Sequence, residues 1–298
     1  MSRTLDVTPP PPPGPRTTGP TADPGRTGVW STGWVRTAAL VVALVAGMVV
    51  TSSIAAALGN PVVALLSGPL LAVLMLWLYR LLVGRIERRP VLEVAPRGAA
   101  RRVLTGLVGG LLLATTTIGV LALLGGYQVT GWGSVTGALT VIGMMCAVAV
   151  AEEVVFRGVV LRLLEPRWGT WLALAGSGAL FGLVHLVNPS ASLWGATAIA
   201  VEAGLMLGAA YVATRSLWLP IGLHLGWNVT LVAVFGTVTS GAEAQGALVT
   251  AGTSGPAWLT GGSFGPEASV VAILLCSVVT AGLLVVAHRR GRLVGRRS

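Results

Sequence analysis

Apolar residues in this chain run in blocks of about 20, the length a helix needs to cross the hydrocarbon of a bilayer. Such blocks fill the windows 35–58, 62–83, 103–124, 136–164, 171–187, 193–213, 218–236 and 269–287. They predict an all-α fold, a polytopic transmembrane bundle of about eight helices. The fourth window is long and the fifth short, which implies tilt or extension beyond the bilayer. Residues 1–33 are polar and include the run Pro9 to Pro13, so they cannot bury a core and predict a disordered tail. Ala55-Ala56-Ala57 follows an apolar stretch, as at a signal-peptide cleavage site, but the charged region ahead of it is far too long. Residues 237–268 are rich in Gly, Ala, Thr and Ser and read as a flexible connection. No internal repeat is visible.

Composition supports the membrane reading. Of the 298 residues 54% are hydrophobic and only 10% charged, with a mean hydropathy of +0.81. A soluble domain carries roughly 25% charged residues, so too few are present to cover a surface facing water. The net charge of +10 does not point to nucleic acid, because the basic residues lie between apolar blocks rather than on a face interleaved with polar and aromatic groups. All 20 basic residues are arginine, and they test the topology independently, since cytoplasmic loops carry the Arg/Lys excess. They fall in the N-terminal segment, around the second-to-third connection (Arg80 to Arg102), on the inner half of the fourth block and beyond it, after the sixth, and after the eighth. The connections 59–61, 125–135, 188–192 and 237–268 have none. A multi-pass protein of the cell membrane with both termini cytoplasmic is expected. Trp34, Trp168, Trp171, Trp194 and Trp218 fall at block ends, as interfacial anchors do. Cys146 and Cys276 lie inside blocks and form neither a ligand cluster nor a disulfide framework.

Ionisable side chains inside a span are costly and mark function by default. On the fourth block, Glu153 and Arg157 are four residues apart and share a helix face, so they can pair. Glu152 points elsewhere, which leaves a carboxylate free to act on water. The fifth block carries His185, near Gly176, Gly178 and Gly182, which permit close helix approach. On the seventh, His224 and Asn228 share a face, and their N–H groups are suitable donors to a developing oxyanion. These residue types make a hydrolytic site. Glu202, in the sixth block, reads as a structural partner of a histidine or of Arg157, or as lining for a substrate path. Each cluster alone is also compatible with a buried ion-pair knot or interhelical hydrogen bonds.

Glu152-Glu153-x-x-x-Arg157, Phe181-x-x-x-His185 and His224-x-x-x-Asn228, on separate apolar blocks in this order, resemble the signature of the CAAX prenyl protease type II and bacteriocin-processing (Abi-like) family of intramembrane proteases. Phe156-Arg157-Gly158 and Gly204-x-x-x-Gly208 add to the likeness, which covers roughly residues 135–235. The resemblance implies a helical fold enclosing an intramembrane catalytic cavity and hydrolysis of a peptide bond. Glu152 would activate water with His185, His224 and Asn228 would stabilise the oxyanion, and Glu153 and Arg157 would fix the geometry. Implied partners are the lipid bilayer and a membrane-associated peptide or protein, with CAAX-type processing or bacteriocin maturation and self-immunity as the family's roles. No nucleic acid is expected. Members are often named metalloproteases, and Glu152, His185 and His224 would be an acceptable set for a divalent metal such as zinc. The H-E-x-x-H helix of zincins is absent, and no tightly bound metal is expected.

The chain then divides into a tail (1–33), three N-terminal spans (34–134), a catalytic core (135–236), an outer loop (237–268), and a last span with a basic tail (269–298). Two other functions compete. A non-catalytic scaffold or immunity protein would keep the fold, whereas a proton-relay transporter would show inverted half-chains. An aspartyl mechanism is excluded, since no aspartate falls in any block. One difficulty is depth. Glu152 and His185 sit roughly 20 Å from the cytosolic face and His224 about 10 Å, at 1.5 Å per residue. Convergence requires tilt, an extended fourth helix, or a broken start to the seventh near Pro220.

Overall fold

The structure, a computed structural model, describes residues 33–57, 60–242 and 246–296. The proline-rich tail expected over 1–33 lies almost entirely outside them, as does the side chain of Trp34. The described chain is an all-α polytopic bundle with one small sheet. α1 (Gly33–Ala57), α2 (Pro61–Ile86) and α3 (Ala99–Leu123) lead to the strand β1 (Tyr127–Trp132). α4 (Val135–Glu153) runs through a π-helical stretch, Val154–Leu161, into α5 (Arg162–Val184). α6 (Leu193–Ile199) joins α7 (Met206–Thr214) through a second π stretch, Ala200–Leu205, and α8 (Trp218–Asn228) ends in a third, Val229–Val234. β2 (Val249–Thr253), the short α9 (Ala257–Thr260) and α10 (Val270–Arg289) complete the order.

Among the described residues six helical courses are long and apolar enough to span a membrane. The difference from eight windows has two causes. The fourth and fifth windows form one course, Val135–Val187, because helical residues continue up to a turn at Gly169 with φ 74° and ψ 167°. Glycine adopts this backbone without penalty. The chain folds back there, and Ser177 Oγ reaches Phe156 O at 3.1 Å. The seventh window is the shorter apolar helix Trp218–Val234.

Two features fix the helices that carry the polar residues. Gly106 and Gly110 of α3 face Gly222 and Gly226 of α8 so closely that a methyl on Gly226 would fall 2.2 Å from Leu107 O, and one on Gly110 2.2 Å from Leu223 O. Small residues at four-residue spacing are what allows membrane helices this approach. The second feature is a polar clamp at the arginine-rich end. Arg162 and Arg89 both bind Glu87, with contacts of 2.6 Å, and Arg89 also binds Glu93. The Tyr79 hydroxyl lies within hydrogen-bond distance of both Glu93 and Gly158 O in the first π stretch, and its one proton is shared between them. Leu217 N donates to Glu93 O, and Arg215 pairs with Glu165.

At the other end β1 and β2 pair antiparallel, from Tyr127↔Thr253 to Trp132↔Val249, with an irregularity between Val129 and Gly131. The segment expected as a flexible connection therefore carries a strand and short helices. The missed signal is non-local, since the strand's partner lies more than a hundred residues earlier in the sequence.

Candidate active site

The three motifs converge. Glu153, Arg157, His185, His224 and Asn228 are all buried, and Glu152 is mostly so. Glu153 and Arg157 pair across one helical turn, Nη1 to Oε1 at 2.8 Å. The same Oε1 accepts from His224 Nδ1 at 2.9 Å, so one carboxylate ties α4 to α8. Arg157 Nη2 donates to Ala203 O (3.0 Å) and Gly204 O (3.1 Å), carbonyls of the second π stretch. π geometry leaves carbonyls without regular α-helical partners and recurs at functional sites. The Arg157 guanidinium also lies 4.7 Å from the centre of the Phe181 ring, a favourable cation–π contact.

Glu152 is turned away from this knot. Its Oε2 lies 3.8 Å from His224 Nε2, and its side chain lines a cavity of about 320 Å³ together with His185, His224 and Asn228. His185 donates from Nδ1 to Phe181 O at 2.7 Å, which leaves Nε2 as the free ring nitrogen. The centre of the Phe181 ring lies 4.8 Å from that of His185 and 6.3 Å from that of His224, so the ring contacts both imidazoles as well as Arg157.

Of the three routes to convergence, the structure shows the extended fourth helix, whose helical residues continue past Glu153 to Gly169. α8 starts without a break, since Pro220 occupies its first turn, where a missing N–H costs nothing.

Two residues stand differently from expectation. Glu202 is fully buried, yet neither of its oxygens has a hydrogen-bond partner, so the expected pairing with a histidine or with Arg157 is not made. Arg157 has committed its two Nη atoms elsewhere. Glu267 was missed. It is buried, lines the cavity, and accepts from Trp227 Nε1 (3.0 Å) and from Ser240 N (2.5 Å) and Oγ (2.8 Å). Burial pushes its carboxyl above the usual range. A carboxylate just ahead of the last apolar block, in a segment with few charges, was the available signal.

Among the described residues no three His, Cys, Asp or Glu side chains form a group able to hold a metal ion. Glu152, His185 and His224 line one cavity without making such a set.

A family model described as type II CAAX prenyl endopeptidase, Rce1-like, matches residues 132–230. The match spans all three motifs and stops short of Glu267. Comparison with curated proteins and with solved structures gave no match.

Proposed function

We propose that this chain is an intramembrane endopeptidase in which Glu152 and His185 activate a water molecule, a reading supported by the match of residues 132–230 to the Rce1-like type II CAAX prenyl endopeptidase model. The supporting observation is that Glu152 of α4, His185 at the end of α5, and His224 and Asn228 of α8 line one cavity inside an apolar bundle.

Glu152 accepts a proton from water as the oxygen attacks the carbonyl carbon of the scissile bond. The free Nε2 of His185 holds that water or shares the proton. Negative charge then develops on the carbonyl oxygen. The Asn228 amide donates to it, as does His224 through Nε2 when doubly protonated, with Nδ1 held by Glu153. Collapse of the tetrahedral intermediate expels the amine, which takes the proton from Glu152 and leaves a new carboxylate. Glu153 and Arg157 touch none of the reacting atoms and act by positioning His224 and the π stretches. The substrate is a membrane-associated protein or peptide, and CAAX-type processing and bacteriocin maturation or self-immunity are the roles the family offers.

The test is cleavage of an internally quenched peptide library by detergent-purified protein, with and without chelator, beside Glu152→Gln. Cleavage by the parent and none by the variant supports the reading. Equal cleavage by both, or none by either, contradicts it.

A further inference from the structure

The cavity and the arginines occupy opposite ends of the bundle. Apart from the buried Arg157, the described arginines lie in the turns at one end or within two helical turns of it. That end is knit into one surface. Arg162 and Arg89 meet at Glu87, Arg215 bridges Glu165 and the carbonyl of Arg292, and Arg290 donates to Ala213 O. Among the described residues, none from the α2–α3 turn, the α7–α8 turn or the stretch after α10 lines the catalytic cavity.

Its loop lining comes from the other end, from Asn188, Thr239, Ser240, Ala242 and Glu267. A second cavity of about 320 Å³ adjoins it there, with Ala56 and Met144 lining both. The hydroxyls of Ser134, Thr136 and Thr140 and the backbone at Gly246 line this second space. Two adjoining cavities thus lie beside α4 between the arginine-free end and Glu152, the outer one lined by hydroxyl-bearing residues. Thr140 Oγ1 donates to Thr136 O and keeps acceptor capacity for the N–H groups of an extended peptide backbone.

Arginine excess marks the cytoplasmic side of a membrane protein. We propose that the active site is loaded from the non-cytoplasmic face, and that what enters is an extended, translocated segment of a membrane-anchored polypeptide rather than a cytoplasmic chain end. That the entering segment is a substrate rests on the endopeptidase reading. The direction of opening does not.

Sidedness is measured with single cysteines in a chain whose Cys146 and Cys276 have been replaced by alanine. Ser52→Cys probes the cavity wall, Ala242→Cys and Gln128→Cys the exposed surface at the cavity end, and Ala100→Cys the exposed start of α3 at the arginine end. Each is exposed to a membrane-impermeant maleimide in intact cells and in inverted membrane vesicles. The expected result is labelling of Ser52→Cys, Ala242→Cys and Gln128→Cys in intact cells and of Ala100→Cys only in inverted vesicles. Labelling of Ser52→Cys only in inverted vesicles, or from neither face, overturns the proposal. Library cleavage by the same variants in detergent decides the endopeptidase reading separately. Cleavage with inward labelling removes the direction alone, and outward labelling without cleavage removes the hydrolysis alone.

Discussion

His224 donates from Nδ1 to Glu153 Oε1 across 2.9 Å, and Arg157 binds that same oxygen at 2.8 Å. One buried carboxylate therefore holds a cation on its own helix and an imidazole on another. Removing one partner of a buried ion pair strands the other charge, at a cost of roughly 3–5 kcal/mol. Glu153→Gln is expected to destabilise by about that much, read as a fall in the unfolding temperature of the detergent-solubilised protein. An unchanged unfolding temperature contradicts the structural role given to Glu153.

Gly226 sits one half-turn from both His224 and Asn228 and against the backbone of α3. A methyl there meets Leu107 O at 2.2 Å, so α8 must move as a unit. Gly226→Ala should cost about 1–3 kcal/mol, the range for overpacking. It should lower kcat more than it raises KM, because His224 and Asn228, the proposed oxyanion donors, ride on α8. Steady-state kinetics on any cleaved peptide checks the split, and a change in KM alone contradicts it.

Ser240 holds a left-handed backbone, φ 53°, unusual for a residue other than glycine. Glu267 Oε2 accepts from both its N–H and its hydroxyl. A glutamine amide cannot accept at both oxygen positions, so Glu267→Gln leaves a donor unmet, at about 1–3 kcal/mol. Faster limited proteolysis within 237–268 is expected, with partial recovery when Ser240→Gly is added. Unaltered proteolysis of Glu267→Gln contradicts the tether.

Glu87 and Glu93 lie between spans. Burial raises the Glu87 carboxyl, but hydrogen bonds from Arg162 and Arg89 outweigh it and hold the group below the usual range. Burial raises Glu93 too, and Arg89 and Tyr79 bring it down. Their folded values are thus lower than their unfolded ones, near about 4.3. The stability they contribute is complete above that value and is lost as pH falls through the folded values. Unfolding temperature should hold level from about pH 7 to 5 and fall below about 4, less steeply in Glu87→Gln. A loss beginning above about pH 6 contradicts this assignment.

Much of this was legible in the sequence because intramembrane charges are rare enough to be informative one at a time. The Glu153–Arg157 pair followed from four-residue spacing, and the shared face of His224 and Asn228 from the same rule. The turn at Gly169 was placed only as a gap between windows, since hydropathy does not register a single left-handed glycine. Residues 237–268 read as flexible because β2 finds its partner in β1, and local composition carries no trace of so distant a pairing. Glu267 was missed for the same reason, its contacts being to Trp227 and Ser240. Glu202 shows the reverse limit. Its charge was evident, but no spacing rule discloses that Arg157 would spend its Nη atoms on Glu153 and two carbonyls.

The central claim is a division of labour between adjacent carboxylates, with Glu152 doing chemistry and Glu153 holding structure. Cleavage and thermal unfolding measured on one preparation of Glu152→Gln test it most directly. The account predicts turnover reduced by about 10²–10⁴ with the unfolding temperature unmoved. Retained turnover, or loss of turnover accompanied by unfolding as severe as that of Glu153→Gln, would contradict it.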